Sequence, residues 1–323
     1  MDEQKKQSKT GIELQLLGEA VQHVIEDIVN NACTQEIKDK IFNAVQEDIL
    51  RKYGPLPEIV EIRMPGKDPK PITGTFHEAF PTVVKLVSMD LPVYLSGEAG
   101  TGKNVICKQV AEALDIPFYF TNAVTQEHKL TGFIDAGGRY HETQFYKAFK
   151  DGGLFFLDEL DASIPEVLII LNAAIANRYF DFPTGKITAH KDFRLIAAGN
   201  TYGTGADNVY SGRYSLDGAS MDRFNVIPIK YSDKIERAIT NNDKELLDFC
   251  HAFRGLTKTS NINCIFSYRA LDAITKLKEV LPIKVALKIS LIKGMDKDDL
   301  ILLQKGMNGI PESNKYLRAF KEL

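Results

Sequence analysis

Hydrophobic positions near the start of the chain recur at spacings of three and four. Leu14, Leu17, Val21, Val24 and Ile28 form a stripe that predicts helix over residues 11–53, facing a core. The Pro- and Gly-rich passage GPLPEIVEIRMPGKDPKPITG, residues 54–74, holds one short strand-like run and reads as a linker. From about residue 76 the pattern changes. Short apolar runs at 93–96, 118–122, 154–157, 195–198 and 226–229 alternate with helical stretches, which predicts a parallel sheet covered on both faces. After residue 232 the strands stop and amphipathic helices follow, one carrying Leu271, Ile274, Leu277 and Leu281 behind a possible Ser267 cap. The expectation is an α/β protein in three parts: a mostly helical N-terminal region with linker (1–75), a large α/β domain (76–231) and a small helical domain (232–323).

Composition narrows the possibilities by exclusion. At 323 residues, 44% hydrophobic and 26% charged, the chain has the length for several units with ordinary cores. No apolar run approaches the roughly 18 residues of a membrane span, and the N-terminus MDEQKKQSKT lacks the apolar core of a signal peptide, so the cytoplasm is the expected compartment. A net charge of −3 gives no global attraction to nucleic acid. Cys33, Cys107, Cys250 and Cys264 have neither metal nor redox spacing, and the dispersed histidines form no HExxH pattern.

The stretch LPVYLSGEAGTGKN, residues 91–104, carries the chemistry. Gly97, Glu98, Ala99, Gly100, Thr101, Gly102 and Lys103 fit G-x-x-x-x-G-K, in which backbone N–H groups curl around phosphate oxygens and the lysine reaches the terminal phosphates. The bare pattern arises by chance in about one chain in ten of this length, so context decides. Here a β-rich run precedes it, and a helix with Ile106, Val110 and Leu114 on one face follows. Asn104 stands where a hydroxyl usually ligates Mg²⁺; its carbonyl is also a neutral oxygen ligand, set further from the backbone, so weakened or water-mediated metal binding is expected.

About 55 residues on, GGLFFLDE (152–159) is an apolar strand delivering two acids at its end. Asp158 is the candidate to hold Mg²⁺ and Glu159 to activate the attacking water. Ser163 and Glu166 have capping-box spacing for the next helix, which leaves the acid pair free of that duty. FRLIAAGN (193–200) ends in Asn200, placed to hydrogen-bond water or γ-phosphate. LDGASMDRF (216–224) brings Arg223 before the last strand, and Arg269 falls in the first turn of a C-terminal helix. Either arginine could contact phosphate, from a neighbouring subunit or in cis, and Arg213 near Arg223 could serve instead.

In this order the motifs resemble the AAA+ ATPases, over roughly residues 76–280, and look most like the MoxR/dynein-related branch that includes cobaltochelatase small-subunit-like ATPases and bacteriophage-encoded relatives. The resemblance implies a P-loop NTPase core with a helical lid, ATP and Mg²⁺ as cofactors, and residence in the host cytoplasm for a phage-encoded protein. It makes GEAGTGKN Walker A, LFFLDE Walker B, Asn200 sensor 1, Arg223 the arginine finger and Arg269 sensor 2. It also implies that the hairpins expected within 130–149 and 179–195, the second turning at Gly185, face the pore of a ring and touch substrate.

The function expected is a ring-forming homo-oligomer, a hexamer by resemblance, that hydrolyses ATP to remodel a partner, for which the resemblance suggests a protein with a von Willebrand factor A domain. A DNA translocase is the alternative from another class: Lys186, His190, Lys191 and the 16 Lys/Arg against 12 Asp/Glu in residues 232–323 are compatible with it, although such mild excesses usually mark a solvated face. A nucleotide-gated scaffold with negligible hydrolysis is a third, and Asn104 is its only support.

Overall fold

The computed structural model describes residues 44, 58–62, 70–206 and 210–323. The helix expected over 11–53 lies outside the described residues but for position 44. The passage read as a linker contains two strands, β1 (Glu58–Ile62) and β2 (Lys70–Gly74), paired antiparallel with Ile62 opposite Lys70. Only β1 reads as a strand-like run in the sequence; Pro71 and Gly74 disguise β2, whose Ile72 buries its side chain in the core below.

Five strands form the parallel sheet: β3 (Val93–Ser96), β4 (Phe118–Thr121), β7 (Gly153–Leu157), β10 (Phe193–Gly199) and β11 (Asn225–Pro228), in the order β11-β3-β10-β7-β4. Their apolar runs are continuous because both faces are covered, yet the pleat sorts them between two cores. Tyr94, Phe155, Leu157, Leu195 and Ala197 enter one core with α4 (Gln144–Asp151) and α5 (Glu166–Asn177). Val93, Leu95, Leu154, Phe156, Ile196 and Ala198 enter the other, with α1 (Phe80–Ser88) and α2 (Lys103–Leu114). Phe145 centres the first core, its ring 5.1 Å from Phe155 and 5.7 Å from Phe182.

Two hairpins stand off the sheet. Behind α3 (His128–Thr131), β5 (Phe133–Ile134) pairs with β6 (Tyr140–His141), while β8 (Tyr179–Phe182) pairs with β9 (Gly185–Thr188). The anticipated capping box is absent. Helix α5 starts at Glu166 behind Pro165 with no side-chain cap, and Ser163 Oγ instead accepts from Val124 N (3.0 Å) and donates to Glu159 O (3.3 Å). Pro165 in helical conformation starts the helix two residues past the expected cap, and Ser163 serves a longer-range contact.

After the short α6 (Gly218–Met221) and β11, the described chain is helical: α7 (Asp233–Thr240), α8 (Lys244–Thr259), α9 (Tyr268–Leu277), α10 (Ile283–Leu287) running into a π turn, α11 (Lys297–Gly306) and α12 (Lys315–Lys321). Ser267 caps α9 by accepting from Ala270 N. Phe249, Phe253, Phe266, Tyr316 and Phe320 fill this unit's own core. No helix among the described residues is long and apolar enough to cross a membrane.

Glu236 of α7 ties this unit together, accepting from His251 Nε2 (2.6 Å) and from the Arg254 guanidinium of α8. Burial pushes the Glu236 carboxyl up, but these bonds outweigh it and hold it below the ordinary range; the same bond raises His251 above its ordinary 6.5. The His251 contribution is therefore complete below pH about 6.5 and lost as pH rises through the raised value, while that of Glu236 is lost only in acid. Thermal melts of the full chain are expected to fall in midpoint from pH 6 to pH 9, and a His251→Ala chain is expected to lose that slope.

Candidate active site

Strand order fixes where a site can form. The chain leaves β3 for β4 at one edge and returns from β10 to β11 at the other, so a crevice opens beyond the carboxyl ends of the central strands. Residues 97–102 turn there from β3 into α2. Gly97 packs so tightly that an added Cβ would lie 2.1 Å from Ile229 O, and Gly100, at φ +78°, would put one 2.4 Å from Ser267 Cβ. Any larger residue would push the loop off the last strand or off α9.

Lys103 opens α2 and folds back, donating to Gly97 O (2.6 Å), Glu98 O (3.0 Å) and Asn200 Oδ1 (3.1 Å). Burial lowers its pKa to about 8, against the pull of the Asp158 and Asp161 carboxylates. Asp158 follows β7. Burial raises its carboxyl above the ordinary range, opposed by the Glu159 N–H, by Lys103 and by a hydrogen bond from the Asn104 side chain. Glu159 takes φ +55°, a left-handed conformation that costs a residue with a Cβ, and begins the 3₁₀ turn Leu160–Ala162.

Asp161, inside that turn, is fully buried. Its Oδ2 accepts from Asn200 N (2.9 Å), Thr201 N (3.0 Å) and Thr201 Oγ1 (3.0 Å), and its Oδ1 accepts from Arg213 Nη1 (3.0 Å). The other guanidinium nitrogen of Arg213 donates to Glu159 Oε1 (3.2 Å), and the arginine side chain is only 11% exposed. Sequence reasoning stopped at the acid pair and missed Asp161. The available signal was a third acid, two residues after the pair and behind a lone Leu160.

A cavity of about 620 Å³ collects Lys103, Asn104, Asp158, Glu159, Asn200 and Arg269 in its wall, together with Ala99, Gly100 and Gly102 of the loop. Gly97, Glu98 and Thr101 lie in the same turn, and Thr101 Oγ1 pins it by donating to Glu98 O (2.9 Å). Arg269 is exposed, and among the described residues no ion pair engages it. Arg223 is not part of the wall: it is exposed and donates to Ala219 O (2.6 Å) of the preceding helix α6. Ile235, Ala238 and Ile239 give the cavity an apolar side, where His77 and Gln109, also missed in the sequence, add polarity. Gln109 Nε2 donates to Thr75 O (3.1 Å), and His77 uses Nδ1 for Ala79 N (3.0 Å) and Nε2 for Lys230 O (2.8 Å).

Three tyrosines grip the loop. Ala99 N donates to the Tyr210 hydroxyl (2.9 Å), Tyr231 donates its hydroxyl hydrogen to Ala99 O (3.1 Å), and Tyr268 N donates to Gly100 O (3.3 Å).

Residues 92–216 match the family model for the AAA domain (dynein-related subfamily). Arg223 and Arg269 fall beyond that span. Uncharacterized proteins of Staphylococcus aureus, from strain NCTC 8325 and strain USA300 among others, are 27% identical over 241 residues, covering 66% of this chain and 88% of theirs. Among solved structures, NtrX from Brucella abortus aligns at TM-score 0.43 and 15% identity over 74% of this chain and 50% of its own, so the chain spans about half of that protein. A structure of the same NtrX in complex with ATP gives TM-score 0.40 and 15% identity over 74% of this chain and 52% of its own. A protein from Cytophaga hutchinsonii gives 0.41 and 16%, covering 73% of this chain and 92% of its own. The strand order and the matched segment together give the AAA+ P-loop NTPase fold.

Replacing Asp161 by alanine strips the nearly buried Arg213 of its anchor and removes the acceptor of three donors. Urea unfolding is expected to show a loss of about 3–5 kcal/mol, the range for breaking one side of a buried ion pair.

Proposed function

We propose that the chain is a Mg²⁺-dependent ATPase that assembles into a ring, with six subunits expected, and couples hydrolysis at subunit boundaries to remodelling a partner protein. The observation that carries this reading is the convergence of Lys103, Asp158, Glu159, Asn200 and Arg269 on one cavity whose volume of about 620 Å³ suits a nucleotide.

The apolar side formed by Ile235, Ala238 and Ile239 takes the base, and the loop 97–104 takes the phosphates at the start of α2. Lys103 exchanges its carbonyl contacts for terminal phosphate oxygens. Glu159 accepts the proton of the attacking water, Asn200 orients that water, and Arg269 neutralises phosphate in cis. Asn104 and Asp158 offer adjacent amide and carboxylate oxygens, and Asp158 is half-buried with its carboxyl raised by burial above the ordinary range, which suits a hard dication. A Mg²⁺ ion held by Asn104 and Asp158 would supply positive charge to offset the charge that develops on the phosphate. Arg223, exposed and outside its own cavity, is the residue a second copy would receive, which favours a homo-oligomer.

The narrower likeness to MoxR and cobaltochelatase small-subunit ATPases rests on the hairpins β5–β6 and β8–β9. With it come the division at residues 76 and 232, the pore-facing role of both hairpins, bacteriophage kinship and a partner carrying a von Willebrand factor A domain. Phe133 and Ile134 are exposed on β5, which favours protein over nucleic acid as the substrate at that hairpin.

Glu159→Gln is expected to bind ATP as the wild type does and to release phosphate about 10²–10⁴-fold more slowly. Undiminished turnover would remove Glu159 as the base, and tight ATP-dependent assembly of the wild type without any phosphate release would favour the gated scaffold. Because Lys103 sits near pKa 8 before phosphate arrives and phosphate favours its charged form, ATP affinity should be full below pH 8 and weaken above it. Calorimetric titrations from pH 7 to pH 9.5 test this, with Lys103→Met expected to be weak and flat.

A further inference from the structure

Arg213 invites assignment as the arginine supplied to a neighbour, since it precedes the last strand in an exposed-looking sequence, SGRYSL. The geometry points to a different role: Arg213 is a positioning residue of its own subunit, holding the Glu159 carboxylate against an anchor shared with Asn200. This inference rests on the hydrolytic reading of the cavity given above.

Three observations carry it. The guanidinium is spent inside the subunit, with Nη1 on Asp161 Oδ1 at 3.0 Å and Nη2 on Glu159 Oε1 at 3.2 Å, and its side chain is 11% exposed. An arginine so engaged would have to abandon a fully buried carboxylate to reach another molecule, and uncovering one member of such a pair is costly. Arg223, by contrast, is exposed and holds only a helix carbonyl.

The anchor itself is rigid and shared. Asp161 Oδ2 takes the Asn200 and Thr201 amides together with the Thr201 hydroxyl. The Thr201 carbonyl in turn receives the hydroxyls of Tyr94 (2.9 Å) and Ser96 (3.1 Å) from β3. Tyr214 N donates to Asp161 O (2.7 Å), which fixes the segment that carries Arg213. Glu159 leaves β7 at φ +55° and by itself has several rotamers. The fork of Arg213 selects one of them through Oε1 and leaves Oε2 outside the contact. Two groups that must act on one water are thereby fixed to the same buried carboxylate, although they come from the ends of different strands.

The test is subunit complementation read as ATP turnover of the assembled full-length protein. Arg213→Lys keeps a cation for Asp161 but cannot fork to both acids. It is expected to melt near the wild type, to keep KM for ATP within about twofold and to lose about 10- to 100-fold in kcat. Mixed with Glu159→Gln subunits it should recover nothing, because each subunit then carries a defect in its own cavity. Arg223→Ala mixed with Glu159→Gln should recover turnover, since an intact cavity then meets an intact neighbour.

Should Arg213→Lys fail to fold, the pair Arg213→Gln with Asp161→Asn leaves no buried charge unpaired and is expected to show the same kcat loss and the same lack of recovery. Recovery by either Arg213 variant on mixing, or an unchanged kcat in one that folds, overturns the inference. A wild type that binds ATP and never turns it over overturns the hydrolytic reading itself, and the inference with it.

Discussion

A fully buried carboxylate has to be answered by donors, and at Asp161 four of them arrive from two other parts of the chain. The consequence is architectural. The turn after β7, the turn after β10 and the segment bearing Arg213 cannot shift independently without leaving a charge unpaired in the interior. The ends of the strands are registered to one another by this requirement as well as by the ladder hydrogen bonds of the sheet, where Leu157 faces Ala197 and Gly199 faces Ser96. A crevice at the carboxyl end of a parallel sheet is a property of topology; a crevice with fixed side-chain geometry needs a node of this kind.

That node is affordable because the sheet around it is stiff. Alternate residues of β3, β7 and β10 lock into different cores, so a one-residue slip of β7 would exchange Phe155 for Phe156 and disrupt both at once. The glycines of the loop add a second constraint from outside the sheet. Gly97 lies against Ile229 and Gly100 against Ser267, so the loop fills the gap between the last strand and the start of α9.

Sequence periodicity revealed the sheet because buried parallel strands are written as apolar runs, and it revealed the loop and the acids after β7 because their chemistry demands fixed residue types. β2 stayed hidden, since Pro71 and polar alternates obscure a strand held by Ile72. Ser163 and Glu166 had the spacing of a cap, but local spacing gave no sign that Val124, 39 residues away, would claim the serine. Asp161 escaped, and Arg213 was read only as an alternative to Arg223, for the same reason: their meaning lies in a contact spanning 52 residues, and no local pattern encodes it. Arg269 was legible as a first-turn arginine, and only the folded chain put it on the cavity wall.

The tyrosines on the phosphate loop extend this logic to the helical unit. Backbone groups of Ala99 and Gly100 are hydrogen-bonded to Tyr210, Tyr231 and Tyr268, which come from the segment after β10, the stretch entering α7 and the first turn of α9. The Tyr268 hydroxyl accepts from Ser232 N at 2.6 Å, and Tyr231 lies under the Arg254 guanidinium at 3.5 Å, so two of the three are braced by the Glu236 cluster. Any rearrangement of the loop around a bound anion must therefore break or carry along contacts to the helical unit. The reverse also holds by linkage: a force that tilts the helices changes the free energy of the loop by the same amount. Coupling between the cavity and the helices thus follows from hydrogen bonds that the backbone of the loop already makes, without any further device.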